Sequence, residues 1–157
     1  MILVVLGTQD KQFPRLLEKI DKLISSKKIK DKVVVQAGNT KYSSSKMEIF
    51  DFIPMDKFND LVNDADVIIT HGGVGTILSS LRKDKKVIAV PRLACYGEHV
   101  NDHQVQIISE FSSLGYILGC SGVDDLDECL DKLDDFVPVK YKSSNEKMLE
   151  IIKNFIN

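Results

Sequence analysis

Apolar residues fall in two rhythms along this chain. Short runs rich in Val and Ile, over 2–6, 33–36, 67–70 and 87–90, are apolar almost without interruption, and 116–118 is a weaker run of the same kind. Runs this short, bounded by polar or glycine-containing turns, predict strands buried on both faces. Between them the apolar positions take up helical spacing. Leu16, Leu17, Ile20, Leu23 and Ile24 make one stripe, Phe58, Leu61 and Val62 a shorter one, and Val105, Ile107, Ile108 and Phe111 another. A helix over 77–81 follows the strand at 67–70. Strand and helix thus alternate almost throughout, which predicts an α/β fold with a mostly parallel sheet and right-handed crossovers.

In such a fold ligands sit beyond the carboxyl ends of the strands. Those ends carry Gly7 and Thr8, Gln36 to Gly38, His71 to Gly73, and Pro91 with Arg92. The densest of them runs from the strand at 67–70 through His71, Gly72, Gly73, Val74, Gly75 and Thr76 into the helix. Glycines let the backbone approach a ligand closely, and the free N–H groups of the following helix favour an anion. This predicts a phosphate-binding turn.

The chain has 157 residues, enough for one domain over 1–157. Hydrophobic residues at 43%, charged residues at 28% and a net charge of −2 describe an ordinary globular protein and imply no nucleic-acid partner. Cys95, Cys120 and Cys129 are odd in number and lack C-x-x-C spacing, so reduced thiols in a cytoplasmic setting are expected rather than disulfides or a zinc site. The apolar start, residues 1–7, is too short for a signal peptide or a membrane span. Over 143–157, Met148, Ile152, Phe155 and Ile156 share one helical face, which either closes the core or docks a partner.

Other polar groups admit two readings each. Gly7 and Thr8 lack the G-x-G-x-x-G pattern of a dinucleotide fold but can offer a backbone N–H and a hydroxyl to phosphate. His71 can bond phosphate or sugar, or serve as a structural hydrogen-bonding residue. His99 and His103, spaced i, i+4 beside Glu98, would share a helix face, but no third ligand accompanies them and no metal site is expected. Asn101, Asp102, His103 and Gln104 form a polar cluster on the ligand edge, where Asn or Asp also suits a helix N-cap. Lys22, Lys27, Lys28, Lys30 and Lys32 read as a solvated helix end or as a surface for anionic lipid.

Taken in order, Gly7-Thr8, Gln36 to Gly38, Phe52 to Pro54, His71 to Thr76, Val90-Pro91 and Asn101 to Gln104 resemble the donor-binding half of family 28 glycosyltransferases, over roughly residues 1–120. The resemblance is greatest to the small catalytic subunits of two-component, polyprenyl-linked sugar transferases. It implies a Rossmann-like domain like the C-terminal half of a GT-B enzyme, and a UDP-sugar donor with no cofactor and no metal. A sugar on a polyprenyl diphosphate would be the acceptor, and a membrane-associated partner would bind that acceptor, supply the base and recruit the chain to the cytoplasmic face.

By the same resemblance Gly7, Thr8, Gly72, Gly73, Val74, Gly75 and Thr76 would hold the diphosphate, and the turn glycines with Thr76 would stabilise the leaving group. The 52–55 loop with Phe52 and Ile53 would receive uracil. Gly38, His71 and His103 match further family positions, and Asn101, Asp102 and Gln104 would approach the donor sugar. Ser79 stands where the family commonly has a ribose-binding glutamate. Two other classes share these signals: a non-catalytic enhancer subunit that kept the fold, and an unrelated nucleotide-dependent α/β enzyme.

Overall fold

The computed structural model describes residues 1–141 together with Glu150 and Lys153. Its sheet has six parallel strands, β1 (Ile2–Val5), β2 (Val33–Gln36), β3 (Glu48–Phe50), β4 (Val67–Thr70), β5 (Lys86–Ala89) and β6 (Leu118–Gly119), in the order β3-β2-β1-β4-β5-β6. In the central register Ile2 stands beside both Val33 and Val67, so Val5, Gln36 and Thr70 finish level. The loops after β1 and β4 leave from neighbouring strand ends where the winding direction reverses, the place where a crevice opens in such sheets.

Every residue of β1, β2 and β4 is buried, as their unbroken apolar runs require. Helix α1 (Pro14–Ser25) and α5 (Leu126–Lys132) cover one face of the sheet, where Leu16, Leu17 and Ile20 pack on Val4, Val35 and Ile69. The other face carries α2 (Met55–Asp64), α3 (Val74–Arg82) and α4 (His103–Ser113), with Val62, Ile77 and Phe111 against Leu3, Val34 and Ile68. Alternate residues of each strand therefore feed opposite cores.

Several expectations need correction. The strands expected over 2–6 and 87–90 end one residue earlier, and the weak run at 116–118 becomes a strand only at Leu118–Gly119. Met55 opens α2, with Pro54 as its N-cap, and does not belong to the preceding loop. His99 lies in bends ahead of α4, so it shares no helix face with His103. The basic stretch at the end of α1 and beyond it needs no correction: Lys28 pairs with Asp131 and Lys32 with Glu48 at the exposed surface. The helix expected over 143–157 lies outside the described residues, apart from Glu150 and Lys153. Among the described residues no helix is long and apolar enough to cross a membrane, and no three His, Cys, Asp or Glu side chains cluster as a metal site would.

Candidate functional site

The ends of β1 and β4 define a cleft of about 270 Å³ whose lining includes Gly7, Thr8, Gln36, Phe52, Ile53 and Thr76. Residues from four separate segments of the chain converge there because the strands before them end at one level of the sheet. A larger cavity, about 530 Å³, shares Phe52 and Ile53 but extends away from the glycine turns toward Lys32, Glu48 and Lys57. The smaller cleft reaches the Gly7-Thr8 turn and Thr76 at the start of α3, and is the candidate site.

The first wall is the turn after β1. Gly7 adopts φ +76°, and the Gln36 side chain pairs with both of its main-chain groups, accepting from Gly7 N–H at 3.2 Å and donating to its carbonyl at 3.2 Å. The Gly7 N–H expected to face phosphate is therefore taken by Gln36, and Thr8, exposed at the rim, is the polar side chain this turn presents. Gln36 also donates to the carbonyl of Asp51 at 3.1 Å, which fixes the start of the Phe52 loop. Gly38 has φ +59°, and a Cβ there would lie 2.2 Å from the Gly7 carbonyl oxygen. Its place is thus a crossing of two backbones behind the first turn.

The second wall is the start of α3. Gly72 takes φ +90°, and Gly73 leads into the helix as its N-cap with no side-chain cap. Ile77 N–H closes the first helical bond, to the Gly73 carbonyl at 3.1 Å. The N–H groups of Val74, Gly75 and Thr76 belong to the turn that lacks intrahelical acceptors, and the helix dipole places roughly half a positive charge there. Among the described residues, its own helix backbone and chain neighbours aside, no atom lies within 4 Å of where a Gly75 Cβ would stand. The Ser79 hydroxyl donates to the Thr76 carbonyl at 3.1 Å, within its own helix.

His71 sits between the two walls. Its Nε2 would be 2.6 Å from a Cβ on Gly7 and 3.0 Å from one on Gly73, so both glycines leave room for the imidazole. The hydrogen-bond network settles its tautomer. Gln104 Oε1 accepts the Arg92 main-chain N–H at 3.1 Å, which turns the Gln104 amide nitrogen to His71 Nδ1 at 3.3 Å. Nδ1 must then accept, and the neutral ring carries its proton on Nε2. Burial lowers the His71 pKa to about 3, with further depression from Arg92 and His99. An uncharged ring with a directed N–H donor results.

Asn101, Asp102 and His103 are placed differently from Gln104. The Asn101 side-chain oxygen accepts the His103 N–H at 3.0 Å, and Asp102 accepts the Ala94 N–H at 2.9 Å. These oxygens hold the bend ahead of α4, while the His103 side chain is exposed at the first helical residue. Sequence reasoning passed over Gln36 as a side chain, although a lone amide ending an apolar strand is a visible sign. Arg92 was legible only as part of a strand end and Glu98 only as a neighbour of the histidine pair; the burial of both was not.

Six parallel strands in this order, with two glycine turns side by side on the carboxyl edge, define a Rossmann-like α/β domain of the kind that forms half of a GT-B enzyme. The chain belongs to the glycosyltransferase family 28 C-terminal domain family, whose model matches residues 1–157. The UDP-N-acetylglucosamine transferase subunit ALG13 of Saccharomyces cerevisiae is 34% identical over 80 residues, which is 50% of this chain and 37% of that protein. Its Candida glabrata counterpart is 35% identical over 86 residues, 53% of this chain and 41% of that protein, so the match spans about two-fifths of these relatives.

Among solved structures, the solution structure of ALG13 superposes with a TM-score of 0.61 at 20% identity, over 99% of this chain and 96% of that one. The Methanocaldococcus jannaschii UDP-GlcNAc 2-epimerase, solved with UDP-GlcNAc and UDP, gives 0.63 at 13% identity, over 99% of this chain and 44% of that one. At these identities the likeness is one of fold.

Proposed function

We propose that this chain is the donor-binding, catalytic subunit of a two-component inverting glycosyltransferase. It takes a sugar from a UDP-sugar and passes it to a saccharide on a polyprenyl diphosphate, held by a membrane-associated partner at the cytoplasmic face. The observation that carries this reading is the convergence of an uncapped helix start, met at Thr76, and a Thr8 rim on one cleft beside the exposed ring of Phe52, with the buried neutral His71 packed directly behind Gly7 and Gly73. Membership of the family supports the reaction class. The names of the Saccharomyces and Candida relatives make UDP-N-acetylglucosamine the first donor to try.

The chemistry is a single displacement. The acceptor hydroxyl oxygen bonds to the anomeric carbon from one side while the bond from that carbon to the β-phosphate oxygen breaks on the other. The electron pair leaves on UDP, and the hydroxyl proton goes to a base in the partner. Charge builds on the diphosphate, where the N–H groups of 74–76 and His71 Nε2–H would stabilise it without a metal; losing one such preorganised donor costs about 10²-fold in rate. Thr76 and Thr8 would flank the phosphates, Phe52 and Ile53 the uracil, and Gln104, with Asn101 and Asp102 nearby, the sugar. A C-terminal helix over 143–157 would dock the partner.

The test is binding of UDP and UDP-N-acetylglucosamine to the full chain, followed by turnover with the membrane partner present. Binding of uridine nucleotides, with turnover that needs the partner, is expected. Failure to bind any uridine nucleotide, alone or with the partner, rejects the reading. Unchanged activity of the reconstituted pair when Gly73→Asp is introduced would assign the chain an enhancer role instead.

A further inference from the structure

Arg92 is 1% exposed, yet among the described residues it has no carboxylate partner of its own. Its Nη2 donates to the Leu6 carbonyl at 2.6 Å and its Nη1 to the Lys11 carbonyl at 2.7 Å, the two ends of the turn that holds Gly7 and Thr8. The guanidinium lies over the Phe13 ring, 5.4 Å from its centroid, and Nε is buried without a hydrogen-bond partner among the described residues. Glu98 is the nearest candidate to neutralise it, but the Glu98 carboxylate, 2% exposed, is gripped by Arg15 through two bonds of 2.8 and 3.0 Å. It also accepts the Leu93 N–H at 3.1 Å, and offers Arg92 only its main-chain carbonyl, at 3.5 Å.

Two cations therefore share one carboxylate behind the first turn, Arg92 and Glu98 enclosed and Arg15 partly exposed, so the carboxylate is committed to the outer cation and the enclosed one is left with carbonyls. Burying a charge against neutral carbonyls alone is costly, and a compensating anion on the cleft side relieves that cost. The main chain of Arg92 acts on the opposite wall, since its N–H orients Gln104 and, through Gln104, His71. One residue thus ties the Gly7-Thr8 turn to the loop before α4 and sets the donor that faces between Gly7 and Gly73.

We propose that Arg92 is a positioning residue of the anion site, holding the first glycine turn with its side chain and the His71 tautomer with its main chain, and leaving a net positive charge beneath the bound diphosphate. The assignment rests on the donor-site reading only for the nucleotide; the anion part stands on Arg92 itself.

The experiment compares inorganic pyrophosphate, UDP and uridine on the full chain, wild type, Arg92→Lys and Arg92→Met. Arg92→Met is expected to weaken UDP and pyrophosphate at least tenfold while uridine changes less than twofold, with Arg92→Lys recovering part of the loss because it keeps the charge but cannot span both carbonyls. A merely structural role would weaken uridine and UDP together, and that outcome, or unchanged UDP affinity in folded Arg92→Met, overturns the proposal. Wild-type chain that binds pyrophosphate but neither UDP nor uridine would reject the nucleotide reading and leave Arg92 to be judged on pyrophosphate. Chain that binds none of the three overturns both.

Should Arg92→Met fail to fold, the comparison of Arg92→Lys with wild type stands in its place, alongside nitrogen NMR of the imidazoles. With three histidines in the chain the spectrum is simple. Wild-type His71 is expected to show a protonated Nε2 and a bare Nδ1, and Gln104→Leu to shift it toward a mixture. Identical His71 nitrogen shifts in the two proteins overturn the relay.

Discussion

Gly75 has no reason to be glycine within this fold. It lies in the first turn of α3 without a positive φ, is exposed, and among the described residues beyond its own helix and chain neighbours has nothing within 4 Å of a would-be Cβ. Alanine is favoured over glycine in helices by up to about 1 kcal/mol. Gly75→Ala should therefore leave urea stability unchanged or raise it by up to about 1 kcal/mol, while UDP affinity falls because the methyl group occupies the approach to the helix N–H groups. A variant that binds UDP as tightly as wild type would remove Gly75 from the site. Ser79 is the opposite case: its hydroxyl is bonded to Thr76 inside the helix, so Ser79→Ala should change UDP affinity by less than about twofold. At this scale the glycine turn was legible in the sequence, because glycine density and strand ends are local facts. The state of His71 was not, since its tautomer follows from Arg92 and Gln104, which reach it only through the fold. Arg92 itself reads as an ordinary charge after a strand; its burial depends on Phe13, Leu6 and Lys11 closing around it.

Between elements, the turns after β1 and β2 lean on each other at Gly38. Its φ of +59° excludes comfortable side chains, and a Cβ would overlap the Gly7 carbonyl at 2.2 Å, backbone that cannot step aside. Gly38→Ala should cost more than about 2 kcal/mol of unfolding free energy and loosen the Gly7-Thr8 turn, measured by urea unfolding and by amide exchange over 7–12. Across the sheet, the Cys120 thiol just beyond β6 and the Cys129 thiol in α5 are buried 3.1 Å apart, whereas Cys95 is exposed. Iodoacetamide should accordingly alkylate Cys95 in the native chain and reach the other two only in denaturant, as peptide masses would show. The strands and helices that bury a continuous stripe were readable from periodicity. β3 was not, being an edge strand of Glu48, Ile49 and Phe50 with two exposed side chains. Nor was α5, where Leu126 and Cys129 are the buried residues in an acidic stretch whose helix forms by packing behind α1.

For the molecule as a whole, the arrangement around His71 links the site to global stability. The folded chain holds this imidazole neutral, with a pKa near 3 against 6.5 for a free side chain, because burial disfavours the charge and Arg92 and His99 oppose it further. Unfolding releases the ring to take up a proton at any pH between those values. The sign follows: the unfolded state binds more protons, so stability is full above about pH 6.5 and declines as pH falls toward 3, by at most about 1.4 kcal/mol per pH unit. Carboxylates act in a different window. Asp125, held below 3.8 chiefly by the Ser121 hydroxyl, and Asp127, held low by Lys19, add stability that is lost only as pH falls below about 3.8. Urea unfolding of wild type and His71→Asn at pH 7, 6, 5 and 4.5 separates the two. Asparagine keeps an acceptor for Gln104 but cannot titrate, so its stability should fall less steeply with acid than wild type, whatever its absolute value. Parallel curves for the two proteins would show that His71 titrates in the fold much as it does unfolded, and with that the bare Nδ1 paired with Gln104 and the fixed neutral tautomer would be lost from the site.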